Sequence, residues 1–153
     1  MEERLTIGID AGANGGICVL TRKGEVVDVS KMPKTPQDVL EYLQEFAVHS
    51  HCFLEKVGGM SGQSGSASFN FGKGYGHLEM ALLALKIPTT TVTPQKWQKT
   101  YQLGTKNQCA SKTEWKNKLK AKAQQLFPSL GKKITLATSD AILIAEYGRL
   151  QNV

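Results

Sequence analysis

The chain has 153 residues, 41% of them apolar and 21% charged, which is enough for one domain (1–153) with a real core and excludes global disorder. No apolar run approaches membrane-spanning length, and residues 1–20 hold no basic segment followed by a signal-type apolar stretch, so export is not expected. Net charge is +6, yet residues 91–133 alone carry ten lysines against one acid, Glu114, for a local +9 that points to a polyanion such as nucleic acid. The plain alternative for that span is a solvated lysine-rich surface. Cys18, Cys52 and Cys109 are far apart and form no C-x-x-C pair. They argue against a zinc ribbon or disulfide framework and fit a reducing, cytoplasmic setting.

In chain order, Leu5, Ile7 and Ile9 alternate with Thr6 and Gly8, and residues 17–20 are an apolar run. These predict two strands joined by a glycine turn, with Asp10 ending the first strand and Gly12, Gly15 and Gly16 following it. An acid there can hold a hard metal ion at a sheet edge or simply cap its own turn. A third strand is expected over residues 25–31. Thr35-Pro36-Gln37-Asp38 reads as a helix start, with Leu40, Leu43 and Ala47 on the packed face. His49 and His51 follow near its end, two residues apart, and no further His or Cys pair completes a metal site.

Residues 52–57 form the next expected strand, apolar at its start and interrupted by Glu55. A carboxylate inside a strand is costly unless paired or metal-bound, the plain alternatives being solvent or Lys56. Residues 58–68 are rich in glycine and serine and read as a mobile loop beside that acid. Residues 69–76 carry three glycines and lead into a helix ending near Leu85, with Glu79 and His77 outward. Its glycines would leave a flat face for a nucleic acid or a second subunit. A β-branched strand over 87–93 precedes a short helix capped by Thr93 and opened by Pro94.

Ser111-Lys-Thr-Glu114 is a capping box for a long helix to about Phe127, with Trp115, Leu119, Ala123 and Leu126 on its apolar face. Lys112, Lys116 and Lys120 recur every four residues as a ridge of positive charge. A last helix opens at Ser139 or Asp140 and runs to about Leu150, with Glu146 expected to be exposed. Asp140 suits a helix N-terminus, or serves as a third metal ligand.

The order βββαβαβ followed by helices predicts an α/β fold, a mixed five-stranded sheet flanked by helices. If the first and fourth strands are neighbours, Asp10, Glu55 and Asp140 converge at one edge. Three carboxylates without histidine or cysteine favour Mg²⁺ or Mn²⁺, and two such ions can promote phosphodiester hydrolysis.

Gly8-Ile-Asp10-Ala-Gly12 with Gly15-Gly16, Phe53-Leu-Glu55-Lys-Val57, Thr93-Pro-Gln-Lys-Trp97 and Ser139-Asp140-Ala-Ile-Leu-Ile-Ala-Glu-Tyr-Gly148 together resemble RuvC-type Holliday junction resolvases. The likeness is to the small phage-borne and bacterial RuvC-like branch and covers nearly the whole chain. It implies a ribonuclease H-like fold, a homodimer, and Mg²⁺-dependent nicking of paired strands at a four-way DNA junction, with no nucleotide cofactor. Carried over by position, Asp10, Glu55 and Asp140 would be the catalytic, metal-binding acids. Lys96, Lys112, Lys116 and Lys120 are candidates for DNA contact, as are Met60, Phe69 and Lys73.

Two departures from the family pattern stand out. A fourth ligand, Asp or His three residues before the last Asp, is here Ala137, flanked by Thr138 and Ser139. The aromatic wedge just beyond the strand acid is replaced by Gly58, Gly59 and Met60. Competing readings are an actin-like ATP-binding protein, which would need a second D-x-G loop absent here, a non-catalytic junction binder, and a nuclease for hybrids or other branched nucleic acids.

Overall fold

The computed structural model describes residues 3–57 and 64–153. Five strands, β1 (Leu5–Asp10), β2 (Gly16–Thr21), β3 (Val26–Lys31), β4 (Ser50–Glu55) and β5 (Thr89–Val92), form one sheet in the order β3-β2-β1-β4-β5. β1 is the middle strand. It is antiparallel to β2 and parallel to β4; β2 and β3 are antiparallel, and β4 and β5 parallel. The sheet is thus mixed, as expected from a meander followed by alternating helices and strands.

The two-residue period of the strands divides the core into two layers. Ile7, Ile9, Ile17, Val19, Cys52 and Leu54 face α1 (Pro36–Glu45) and α2 (Gly65–Ala84). Cys18, Leu20 and Phe53 face the other way, toward α3 (Pro94–Lys99), α4 (Lys112–Leu126) and α5 (Ser139–Leu150). Helix starts follow the local chemistry. The Thr35, Thr93 and Ser111 side chains accept from the N–H of Asp38, Lys96 and Glu114, and Pro36 and Pro94 open their helices. The Ser111 box is only half built, because the Glu114 carboxylate accepts from Ala110 N–H at 2.8 Å instead of from Ser111.

Several sequence expectations are corrected. In α1 the buried residues are Val39 and Leu43, and Leu40 points outward; the helix meets α2 on the Val39 side. Leu126 at the end of α4 is also largely exposed. Residues 65–68, read as part of a loop, are the first turn of α2, because Ser64 accepts from Ala67 N–H at 3.1 Å and caps it. Residues 58–63 of that proposed loop, Met60 among them, lie outside the described residues. Glu55 ends its strand instead of interrupting it. His77 is half-buried.

Glu146, expected in solvent, is buried. Its two carboxylate oxygens take N–H bonds from Arg149 one turn on, at 2.8 and 2.5 Å, and Arg149 also reaches the Arg22 carbonyl. A buried carboxylate so satisfied is stable, and one left alone is not. Arg149→Ala is therefore expected to lower stability by about 2–3 kcal/mol. Urea unfolding followed by circular dichroism reads this directly.

Candidate metal and nucleic-acid site

The register between β1 and β4 brings the first two acids together. Ile9 pairs with Leu54, so Asp10 and Glu55 stand side by side one residue further on, at the ends of adjacent parallel strands. Both fall on the Gly8 and Phe53 side of the pleat, the face crossed by α5. Gly8 makes that crossing possible: a Cβ there would lie 2.3 Å from Ala145 N and 2.5 Å from Ala141 O. The helix backbone therefore rests directly on β1, and Asp140 in its first turn comes up beside Asp10. The turn after Asp10 is equally tight, since a Cβ on Gly15 would fall 1.9 Å from the Asp10 carbonyl oxygen.

The three acids sense one another. Burial, then Asp140, then Glu55 push Asp10 up to about 8, against the opposing pull of Lys116. Burial raises Glu55 to about 7, with Asp140 adding to it and a hydrogen bond from Trp97 working against it. Burial raises Asp140 to about 6, again opposed by Lys116. Glu55 is held at two points. The Trp97 indole N–H donates to its Oε2 at 2.6 Å, and the Tyr75 hydroxyl donates to its backbone carbonyl at 3.3 Å.

Glu55 and Asp140 open onto a cleft of about 1130 Å³ between α3 and α4. Lys99, Lys106, Lys112 and Lys116 line it with them. Of the lysine ridge, Lys112 and Lys116 face this cleft, while Lys120 lines a separate groove with Gln124 and Lys132. Lys96 is exposed on α3 and is not among the cleft residues. Lys73 lines another groove, about 590 Å³, between α2 and the turn at residues 12–14, and Phe69 is exposed on α2. Lys99 and Lys106 carried no signal beyond the general charge excess. Trp97 stood in a quoted motif, but only tertiary structure reveals its partner.

Among the described residues, no three His, Cys, Asp or Glu side chains are grouped closely enough to hold a metal ion between them. The donor chemistry nevertheless fits a hard divalent ion. All three candidates are carboxylates raised by burial, and Asp140 adds repulsion at Asp10 and Glu55, which a cation would relieve. Mg²⁺ commonly keeps several waters and takes only one or two carboxylates, so an open arrangement suits it.

The backbone trace is similar to Thermus thermophilus RuvC in complex with a Holliday junction substrate, with a TM-score of 0.68 and 14% sequence identity over 97% of this chain and 95% of that one. It is likewise similar to another Thermus thermophilus RuvC structure, with a TM-score of 0.59, 16% identity and the same coverage. The chain has the RuvC fold. That is the ribonuclease H-like mixed five-stranded sheet flanked by helices. No family model and no curated protein matches the sequence.

Within this RuvC fold, Ala137 precedes α5 and offers no side-chain ligand. Its neighbours do not replace one. The Thr138 hydroxyl donates to the Lys133 carbonyl at 2.8 Å, and the Ser139 hydroxyl donates to the Thr135 carbonyl. Both are tied back into the turn that leads to the helix.

Lys116 is the cation whose charge acts on both Asp10 and Asp140. If the cleft takes DNA, Lys116→Ala is expected to weaken that binding several-fold and to make its salt dependence shallower by about one unit of slope. Fluorescence anisotropy across a salt series measures both.

Proposed function

We propose that this chain is a structure-selective endonuclease that resolves four-way DNA junctions by metal-dependent phosphodiester hydrolysis, with two symmetric nicks made by a homodimer. The observation that carries the reading is the convergence of Asp10, Glu55 and Asp140 beside a lysine-lined cleft. The shared fold with a protein solved on a Holliday junction supports it. Lys99, Lys106, Lys112 and Lys116 would hold the strand backbone and steer its phosphates toward the acids. Asp10, Glu55 and Asp140 would hold Mg²⁺, or Mn²⁺ in its place. The chemistry supplied by such an ion would be activation of a water and neutralisation of charge on the departing oxygen. Phe69, Met80 and Leu83 stand exposed on α2, and their spacing puts them on one helix face, a surface suited to a second copy.

A second reading has its own observation. With Ala137 in the fourth position and both neighbouring hydroxyls engaged, the metal site could support binding without efficient cleavage. A labelled four-way junction and a matching linear duplex, each incubated with Mg²⁺ and with Ca²⁺, separate the two. Paired nicks confined to the junction, requiring Mg²⁺ and lost in Asp10→Asn, support the resolvase. Tight junction binding without nicking, with nicking gained in Ala137→Asp, supports the impaired site. No preference for the junction sinks both.

A further inference from the structure

We propose that Trp97 is a positioning residue for Glu55: its indole N–H fixes one carboxylate oxygen and leaves the other free for an ion in the cleft. The proposal rests on the nuclease reading in one respect, that Glu55 is a metal-binding acid.

The placement follows from the chain itself. Glu55 pairs with Val92, the last residue of β5. Thr93 then caps α3 and Pro94 opens it, so the helix rises directly from the strand end beside Glu55. Trp97, in the next turn, folds back over that end. It is fully buried, in the same cluster as Val92, Tyr101 and Trp115. A buried indole N–H needs an acceptor, and it has Glu55 Oε2 at 2.6 Å, a short bond to a carboxylate oxygen. The ring cannot turn away without opening the core.

The backbone of Glu55 is pinned as well. Tyr75 from α2 donates to its carbonyl, and the next residue, Lys56, donates its N–H to Val92 O at 2.7 Å. Side chain and main chain are thus held from three elements. A phenylalanine would keep an aromatic ring in the core, smaller than the indole, and leave the carboxylate without its donor. The N–H is therefore the part of Trp97 that packing does not explain.

The test is Trp97→Phe in the full chain, with Mn²⁺ binding followed by calorimetry without DNA. Loss of an outer partner of a metal ligand typically costs about 10–100-fold in affinity. We expect Mn²⁺ affinity to fall at least tenfold, while metal-free junction affinity stays within twofold. Where the wild-type chain nicks, kcat should fall and KM should hold. Unchanged Mn²⁺ affinity in a folded Trp97→Phe protein overturns the proposal.

Should that variant fail to fold, the intact core gives a second measurement. The Trp97 indole N–H resonance is expected to move on Mg²⁺ addition, and Glu55→Gln is expected to abolish that movement. An indole signal that ignores Mg²⁺ in the wild-type chain overturns the proposal. A wild-type chain that takes up Mn²⁺, with Trp97→Phe weakening uptake, yet nicks no junction sinks the nuclease reading and leaves the Trp97–Glu55 pairing standing.

Discussion

Asp10→Asn is expected to abolish nicking while making the protein more stable near neutral pH. Asp10 ends the middle strand, where burial and two neighbouring carboxylates raise it to about 8 from an ordinary 3.8. On the proposed reading Asp10 would bind the metal directly, and its loss should exceed the roughly 10–100-fold cost of losing an outer partner, so nicking should fall by about three orders of magnitude. Junction binding in Ca²⁺ should persist, because the lysines of the cleft are untouched.

The stability change has the opposite sign. Below pH 4 Asp10 is protonated in both folded and unfolded chains. As pH rises from about 4 to about 8 the unfolded chain gives up this proton and the folded one keeps it, so wild-type stability falls across that window. Asparagine removes the titration. Relief of about 2 kcal/mol would raise the melting midpoint by roughly 4–8 °C in a chain of this size at pH 8, and by little at pH 4. Melting curves at the two pH values measure the difference. Saturating Mg²⁺ should narrow it by stabilising the wild-type chain alone.

Gly8→Ala is expected to be among the most damaging single-methyl additions to this protein's core. The new Cβ would meet main-chain atoms of α5 at 2.3 and 2.5 Å, and a backbone cannot turn aside as a side chain can. Overpacking of this kind costs about 3 kcal/mol, or roughly 6–12 °C in the midpoint. The displaced element is the one that carries Asp140, so any nicking should be lost even at temperatures where the variant is folded. Gly76→Ala is the natural control. That glycine lies in α2 with open space around the added Cβ, and alanine there should raise helix stability by about 0.5–1 kcal/mol in the monomer. Thermal melts of both variants, paired with the nicking assay, show whether the two glycines differ as described.

Local chemistry made much of this legible beforehand. Thr35, Thr93 and Ser111 announce helix starts because their side chains satisfy N–H groups only three residues away. Alternation along residues 5–9 and the apolar run at 17–20 announce strands, because the sheet is covered on both faces. Glycine content misled at residues 65–68, where a serine cap and the packing of Leu78, Ala81 and Leu82 further along α2 outweigh weak propensity. Glu146 misled because a charge is exposed by default, and its compensation comes from Arg149 and the geometry of one helical turn.

From the sequence alone came the element order, the acids Asp10, Glu55 and Asp140, the lysine excess of residues 91–133 and the resemblance carried by four short motifs. Each of these depends on residue type and near spacing. Tertiary structure alone decided that β1 lies beside β4, that Asp10 and Glu55 share a face, and that α5 rests on Gly8 closely enough to bring Asp140 to them. It also decided which lysines face the acids and that Trp97 bonds Glu55 across 42 positions of chain. Strand pairing and helix docking join residues far apart in sequence, and their register is set by how two layers of side chains fill one core.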